Sequence, residues 1–221
     1  QSPEDLAWRE RLAKAAEWTG RPEMALDQWW HLARETKRDD AWQAVLRLAP
    51  GLLNDGALIA ALQHQLAKQP DDLRHLQELI AAWERKGEPR AALDYLSNHN
   101  RRHTRPQTLA MMAELADRAA EPKLALQTWQ RLFDEAAEAT PPRLIKAATL
   151  AMLQGDNALA LHWLAQAQDK NAPDDEDTRE ILRLTGQLAI LDQRDDMAIR
   201  AFTKLSQSEQ ADVADFDALI R

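Results

Sequence analysis

Two histidines stand one helical turn apart in this chain of 221 residues, His99 and His103, the spacing at which two imidazoles on one helix face can share a metal ion. A third ligand is missing nearby, and Arg101, Arg102 and Arg105 would repel a cation. The stretch from Asn98 to Pro106 therefore reads as an exposed basic connection able to dock an acidic partner. The run Asp174-Asp175-Glu176-Asp177 offers carboxylates for calcium but lacks the alternating ligands and central glycine of an EF-hand loop. It reads as a solvated connection that places negative charge at a helix start, where the helix dipole favours it. The chain has no His-Glu-x-x-His, no glycine-rich phosphate loop and no Gly-x-Ser-x-Gly elbow. No catalytic residue, metal or cofactor is expected, and the chain reads as a binder rather than an enzyme.

Tryptophan is the other residue type with chemistry to offer. Eight Trp accompany a single Tyr, and indole stacks on sugar rings or anchors interfaces. Trp29, Trp83 and Trp129 fall on apolar stripes and are expected in the core. Trp30 and Trp163 sit beside core positions and are expected to point elsewhere, while Trp18 lies near the end of a helix.

The elements that must carry these residues are announced by a recurring frame. It reads Gly20-Arg21-Pro22-Glu23-Met24-Ala25-Leu26, then Gly87-Glu88-Pro89-Arg90-Ala91-Ala92-Leu93 and Ala120-Glu121-Pro122-Lys123-Leu124-Ala125-Leu126. Gly155-Asp156-Asn157-Ala158-Leu159-Ala160-Leu161 repeats it, and Gln193-Arg194-Asp195-Asp196-Met197-Ala198-Ile199 does so more loosely. A small residue ends one helix by entering the left-handed conformation cheaply. Proline then opens the next helix, where its missing amide has no partner; Asn157 and Asp195 suit a capping role instead. The alanine leaves room for a neighbouring helix, and a large residue one turn on fills the space beside it: Trp29, Leu96, Trp129, Leu164 and Phe202. Each turn makes one helical hairpin.

Composition agrees with an all-α chain: 6 Gly, 3 Phe and 1 Tyr against abundant Ala, Leu, Gln, Glu and Arg. The absence of Cys removes disulfides and thiolate chemistry. A formal charge of −8 argues against a general nucleic-acid binder. No apolar run approaches the roughly 20 residues of a membrane helix. The start, Gln1-Ser2-Pro3, is expected to be a mature or trimmed boundary, and Val213, Phe216, Leu219 and Ile220 are expected to begin a truncated next unit.

The marked alanines recur about every 33 to 38 residues with one unmarked unit between Ala25 and Ala92, which is the spacing of a two-helix repeat of about 34. The chain resembles the tetratricopeptide repeat family on these residues. The expected units run roughly 6–39, 40–72, 73–106, 106–139, 141–174 and 179–212, with 213–221 opening another. Leu58 replaces the alanine in the second unit, so looser or shifted packing is expected there. Thr140 and Pro141 open the fifth, the connection 171–177 lengthens the step to the sixth, and Gly186 sits mid-helix where the family prefers a small residue.

That resemblance implies a tetratricopeptide-type α-solenoid, a right-handed superhelix whose first helices line a concave groove for a protein partner. Carried over by position, the groove residues are Glu10, Lys14, Glu17 and Trp18, then Arg74, Gln77, Glu84 and Arg85, and Gln107, Glu114, Asp117 and Arg118. Glu10 and Lys14 stand where chaperone-binding members hold a carboxylate with Lys and Asn, so that grip is not implied. The Trp-, Gln- and Ala-rich repeats further resemble the periplasmic arrays of bacterial exopolysaccharide exporters that precede an outer-membrane β-barrel. This implies a biofilm-related Pel export scaffold that recruits the polysaccharide hydrolase/deacetylase PelA and guides polymer to the pore. Direct binding of a cationic polysaccharide, and the solenoid part of a cell-wall enzyme such as a lytic transglycosylase, are the alternatives.

Overall fold

The computed structural model describes residues 3–136, 139–170 and 176–207. Twelve α-helices and one short 3-10 turn account for the regular structure of these residues, with no strand among them. Of the expected connection 171–177, residues 171–175 lie outside the described residues, as does the segment 213–221, while Glu176 and Asp177 are not connection but the first residues of a helix.

The chain divides into two compact units, residues 1–104 and 105–221. The first unit holds three hairpins: α1 (Pro3–Trp18) with α2 (Pro22–Thr36), α3 (Asp39–Leu48) with α4 (Asp55–Lys68), and α5 (Leu73–Arg85) with α6 (Pro89–Arg102). The second holds α7 (Pro106–Arg118) with α8 (Pro122–Ala136), α9 (Pro141–Leu153) with α10 (Asn157–Lys170), and α11 (Glu176–Leu191) with α12 (Asp195–Ser206). Within each hairpin the two helices pack antiparallel around a short turn.

All six hairpin turns share one backbone device. Gly20, Gly87 and Gly155 have φ of 68°, 76° and 78°, and the equivalent positions are filled by Leu53, Ala120 and Gln193 at 51° to 56°. The next residue's amide then reaches back to a carbonyl of the finished helix, Arg21 to Ala16 (2.8 Å) and Glu88 to Trp83 (2.9 Å), or, across the 3-10 turn Pro50–Leu52, from Asn54 to Ala49 (3.0 Å). In the second unit the same bond joins Glu121 to Ala116 (2.8 Å), Asp156 to Ala151 (2.9 Å) and Arg194 to Ala189 (2.8 Å). This is the Schellman arrangement, which satisfies the carbonyls that a helix end leaves open.

The marked alanines Ala25, Ala92, Ala125 and Ala160 are fully buried, and Ala198 nearly so. Their partners one turn on, Trp29, Leu96, Trp129, Leu164 and Phe202, are buried beside them. In the unmarked hairpin Leu58 is itself buried, and Ala57 and Ala61 supply the small, fully buried residues near it. Burying side chains of this size contributes about 1.5–3 kcal/mol each, enough to hold helices of 10 to 16 residues that would be marginal alone.

Four expectations need correction. Trp163 does not point away from the core; it is 2% exposed and meets Phe133 edge to face, ring centroids 5.6 Å apart. The stretch after Asn98 is not an open connection throughout, because α6 continues to Arg102 and buries His99 and Asn100. The cap of α10 is Asp156, whose carboxylate accepts from the Leu159 amide at 3.1 Å; Asn157 is already helical and donates to Asp192 at 2.8 Å. Asp195 likewise lies inside α12, behind Arg194 at the cap position.

Candidate functional site

In the first unit the charged residues expected to face a ligand are largely committed to one another. Glu10 accepts from Lys14 Nζ at 2.6 Å and from Arg38 Nη1 at 2.7 Å, and Arg38 also pairs with Asp40. Those partners hold the Glu10 carboxyl below its usual range, Lys14 first and Arg38 next. Glu17 accepts from Arg47 Nη2 at 2.7 Å and from the Trp29 indole at 2.5 Å. Arg85 donates to Asp55 Oδ1 through Nη2 at 2.6 Å and Nε at 3.1 Å. The Glu10–Arg38, Glu17–Arg47 and Asp55–Arg85 pairs join successive hairpins, so they set hairpin against hairpin.

Lys14, Arg74 and Gln77 are exposed, Glu84 is half-buried, and Trp18 is 93% exposed. Trp42, by contrast, is buried and stacks on His64 at 5.1 Å; the His64 ring also meets Asp39 at 3.1 Å. His99 and His103 lie with ring centroids 5.5 Å apart beside a cleft between α4 and α6 with no carboxylate in its lining among the described residues. Among the described residues no group of three or more His, Cys, Asp or Glu is placed to hold a metal ion. No helix there is long and apolar enough to cross a membrane.

The second unit brings its first helices together around a cleft of about 360 Å³ formed by α7, α9 and α11. Ile145 and Leu150 of α9 supply a buried apolar floor, and Leu153, 76% exposed, forms part of the rim. Asp117 of α7 and Asp177 and Glu180 of α11 place three carboxylates around it. None of the three has an ion-pair partner among the described residues. Among the described residues Lys146 is the one cation in the lining, and it lies 3.6 Å from Glu114. Gln107 and Arg118, also expected in the groove, are exposed but do not line this cleft. The arrangement can receive a segment that carries positive charge beside an apolar side chain.

Of the twelve expected residues, Asp117 alone lines the cleft. Lys146, Asp177 and Glu180 were not anticipated as site residues. The turn frame carried a signal for the fifth unit: Thr149, in the cleft lining, and Glu114 both stand six residues before the left-handed residue of their own turn.

By sequence, residues 131–221 match the family model described as tetratricopeptide repeat. No curated protein matches the chain. Among solved structures, the Naa15/Naa10 complex bound to HypK-THB superposes with a TM-score of 0.72 at 16% identity over 94% of this chain and 32% of that one. The C-terminal part of a TPR repeat-containing protein from Cytophaga hutchinsonii gives 0.65 at 13% identity, covering 97% and 87%. YrrB, described as a TPR protein with an unusual peptide-binding site, gives 0.58 at 12%, covering 86% and 96%. At these identities the likeness speaks for the fold. Residues 131–221 match the tetratricopeptide repeat family, and the described helical hairpins have the fold of tetratricopeptide-repeat proteins.

Proposed function

We propose that this chain is a protein-docking scaffold whose cleft between α7, α9 and α11 receives a basic, partly apolar peptide segment. One observation carries the reading: Asp117, Asp177 and Glu180 line the cleft beside the apolar floor of Ile145 and Leu150, and none of the three has an ion-pair partner among the described residues. Hairpin repeats bury their helices on one another and leave surface free for ligands, which supports binding rather than catalysis. A peptide-binding site in YrrB, a protein of similar fold, supports the same class of ligand.

The proposal extends to setting. The chain would be the periplasmic array of an exopolysaccharide exporter like PelB, whose parent carries an outer-membrane β-barrel, with the hydrolase/deacetylase PelA supplying the docked segment. What supports this is the character of the repeats together with a cleft suited to positive charge. A second reading, direct binding of a partly deacetylated cationic polysaccharide, is favoured by the exposed indoles of Trp8 and Trp18.

Fluorescence anisotropy with a labelled Lys- and Leu-containing peptide, and separately with chitosan oligosaccharides, tests the first reading against the second. Asp117→Lys with Glu180→Lys is expected to weaken peptide binding by about tenfold or more. Unchanged affinity would rule out this cleft. Capture of PelA from periplasmic extract by the unmodified chain, lost in the same double variant, is the expected result for the exporter setting.

A further inference from the structure

The second unit contains a different cleft, of about 290 Å³, between α10 and α12. It shares no residue with the acidic one. Helix α11 contributes to both through opposite faces: Glu180 and Leu182 are about 200° apart around a helix, and Thr185 falls on the side of Leu182. Among the described residues the lining contains Arg194, Arg200 and Lys204 and no carboxylate, in a chain whose net charge is −8.

Arg200 and Lys204 stand one turn apart on α12, and like charges at that spacing repel each other. Neither has an ion-pair partner among the described residues. Arg194 reaches an Asp192 oxygen only at 3.9 Å, while the other oxygen of that carboxylate accepts from Asn157. The same lining includes the apolar residues Leu161, Leu182, Met197 and Ala201, of which Leu182 and Ala201 are buried and form a floor. The volume falls just below the roughly 300–1,000 Å³ of small-molecule pockets and suits one or two inserted side chains.

We propose that this cleft docks an acidic amphipathic peptide segment of a partner protein. An apolar side chain of the segment enters over Leu182, and carboxylates one turn to either side pair with Arg200 and Lys204. The floor gives an apolar anchor its affinity, and the cations select the sign of the segment. The scaffold would then carry two docking sites of opposite charge preference in its second unit.

The test uses the whole chain and a fluorescein-labelled helical peptide with Glu one turn before and after a Leu-Phe pair, alongside the same peptide with Lys for Glu. The acidic peptide is expected to bind, with affinity falling as salt rises. Arg200→Glu with Lys204→Glu should weaken it by about tenfold or more with unchanged circular dichroism. Should that pair unfold the unit, Arg200→Gln alone is expected to give a smaller loss in the same direction. Asp117→Lys with Glu180→Lys should leave the acidic peptide bound, which separates this cleft from the acidic one. Equal affinity for both peptides once Asp117→Lys with Glu180→Lys has disabled the acidic cleft, no effect of either cation variant, or complete displacement by millimolar inorganic phosphate would overturn the proposal. So would concentration-dependent self-association that blocks the peptide, because the occupant would then be a second copy of this chain.

Discussion

The ring of Phe202 lies where a side chain at Gly186 would begin: a Cβ built on Gly186 would stand 2.5 Å from Cε2 and 2.6 Å from Cζ of that ring. Helices α11 and α12 can approach this closely because Gly186 is bare, and the buried ring closes the gap. Gly186→Ala has favourable helix propensity but forces overlap in a packed interior. It is expected to destabilise the second unit by about 1–3 kcal/mol, measured by urea denaturation. Combining it with Phe202→Leu should recover part of the loss, and simple additivity of the two changes would refute the steric account.

The left-handed turn residues give a prediction of both signs. Ala120 holds φ of 56° with a side chain that disfavours it, whereas Gly155 holds 78° with none. The left-handed form costs an ordinary residue roughly 1–2 kcal/mol, partly offset by the larger unfolded-state freedom of glycine. Ala120→Gly should raise stability by up to about 1 kcal/mol, and Gly155→Ala should lower it by a similar amount. Thermal unfolding of both variants checks the pair.

Acid should act on the first unit through a defined set of carboxylates. Glu10 is held down by Lys14 and Arg38, Asp39 by Lys68 and His64, Asp40 by Arg38, and Asp72 chiefly by the backbone amide of His75. Each folded-state pKa is lowered, so the stabilisation is present above the ordinary carboxylate range near about pH 4 and is lost as pH falls through and below it. Arg38→Ala is expected to raise the pKa of Glu10 and Asp40 toward ordinary values and to flatten the acid limb of stability. Carboxyl carbon shifts followed by NMR titration report the first effect directly.

Two tryptophans separate burial from exposure. Trp163 is packed against Phe133, and its replacement by Ala should cost about 3–5 kcal/mol. Trp18→Ala, at 93% exposure, is expected to fall within about 0.5 kcal/mol of the parent while removing much of the acrylamide-quenchable fluorescence. A large stability loss at Trp18 would mean that the indole is covered in solution.

Particular residues show where sequence reasoning carried and where it stopped. The frame at Ala25, Ala92, Ala125 and Ala160 sets a small residue and a large one at fixed distance from a turn, and local helix geometry turns that into burial. Leu53 escaped the same reading, because nothing about leucine announces a left-handed residue; the bond from Asn54 to Ala49 supplies the reason it adopts one. The burial of Trp163 is not legible in its sequence neighbours, because its environment is made by Phe133 on another hairpin.

The sequence alone determined helices, turns and hairpin period, since glycine, proline and alanine act through backbone geometry within a few residues. Tertiary structure decided which charges remain available to a ligand. Glu10 and Arg38, Glu17 and Arg47, and Asp55 and Arg85 are 28 to 30 residues apart and quench one another only because their hairpins pack side by side. Asp117, Asp177 and Glu180 converge on one apolar floor from separate helices with no such partner among the described residues. Charge pairing at that range is a property of packing, and composition cannot reveal it.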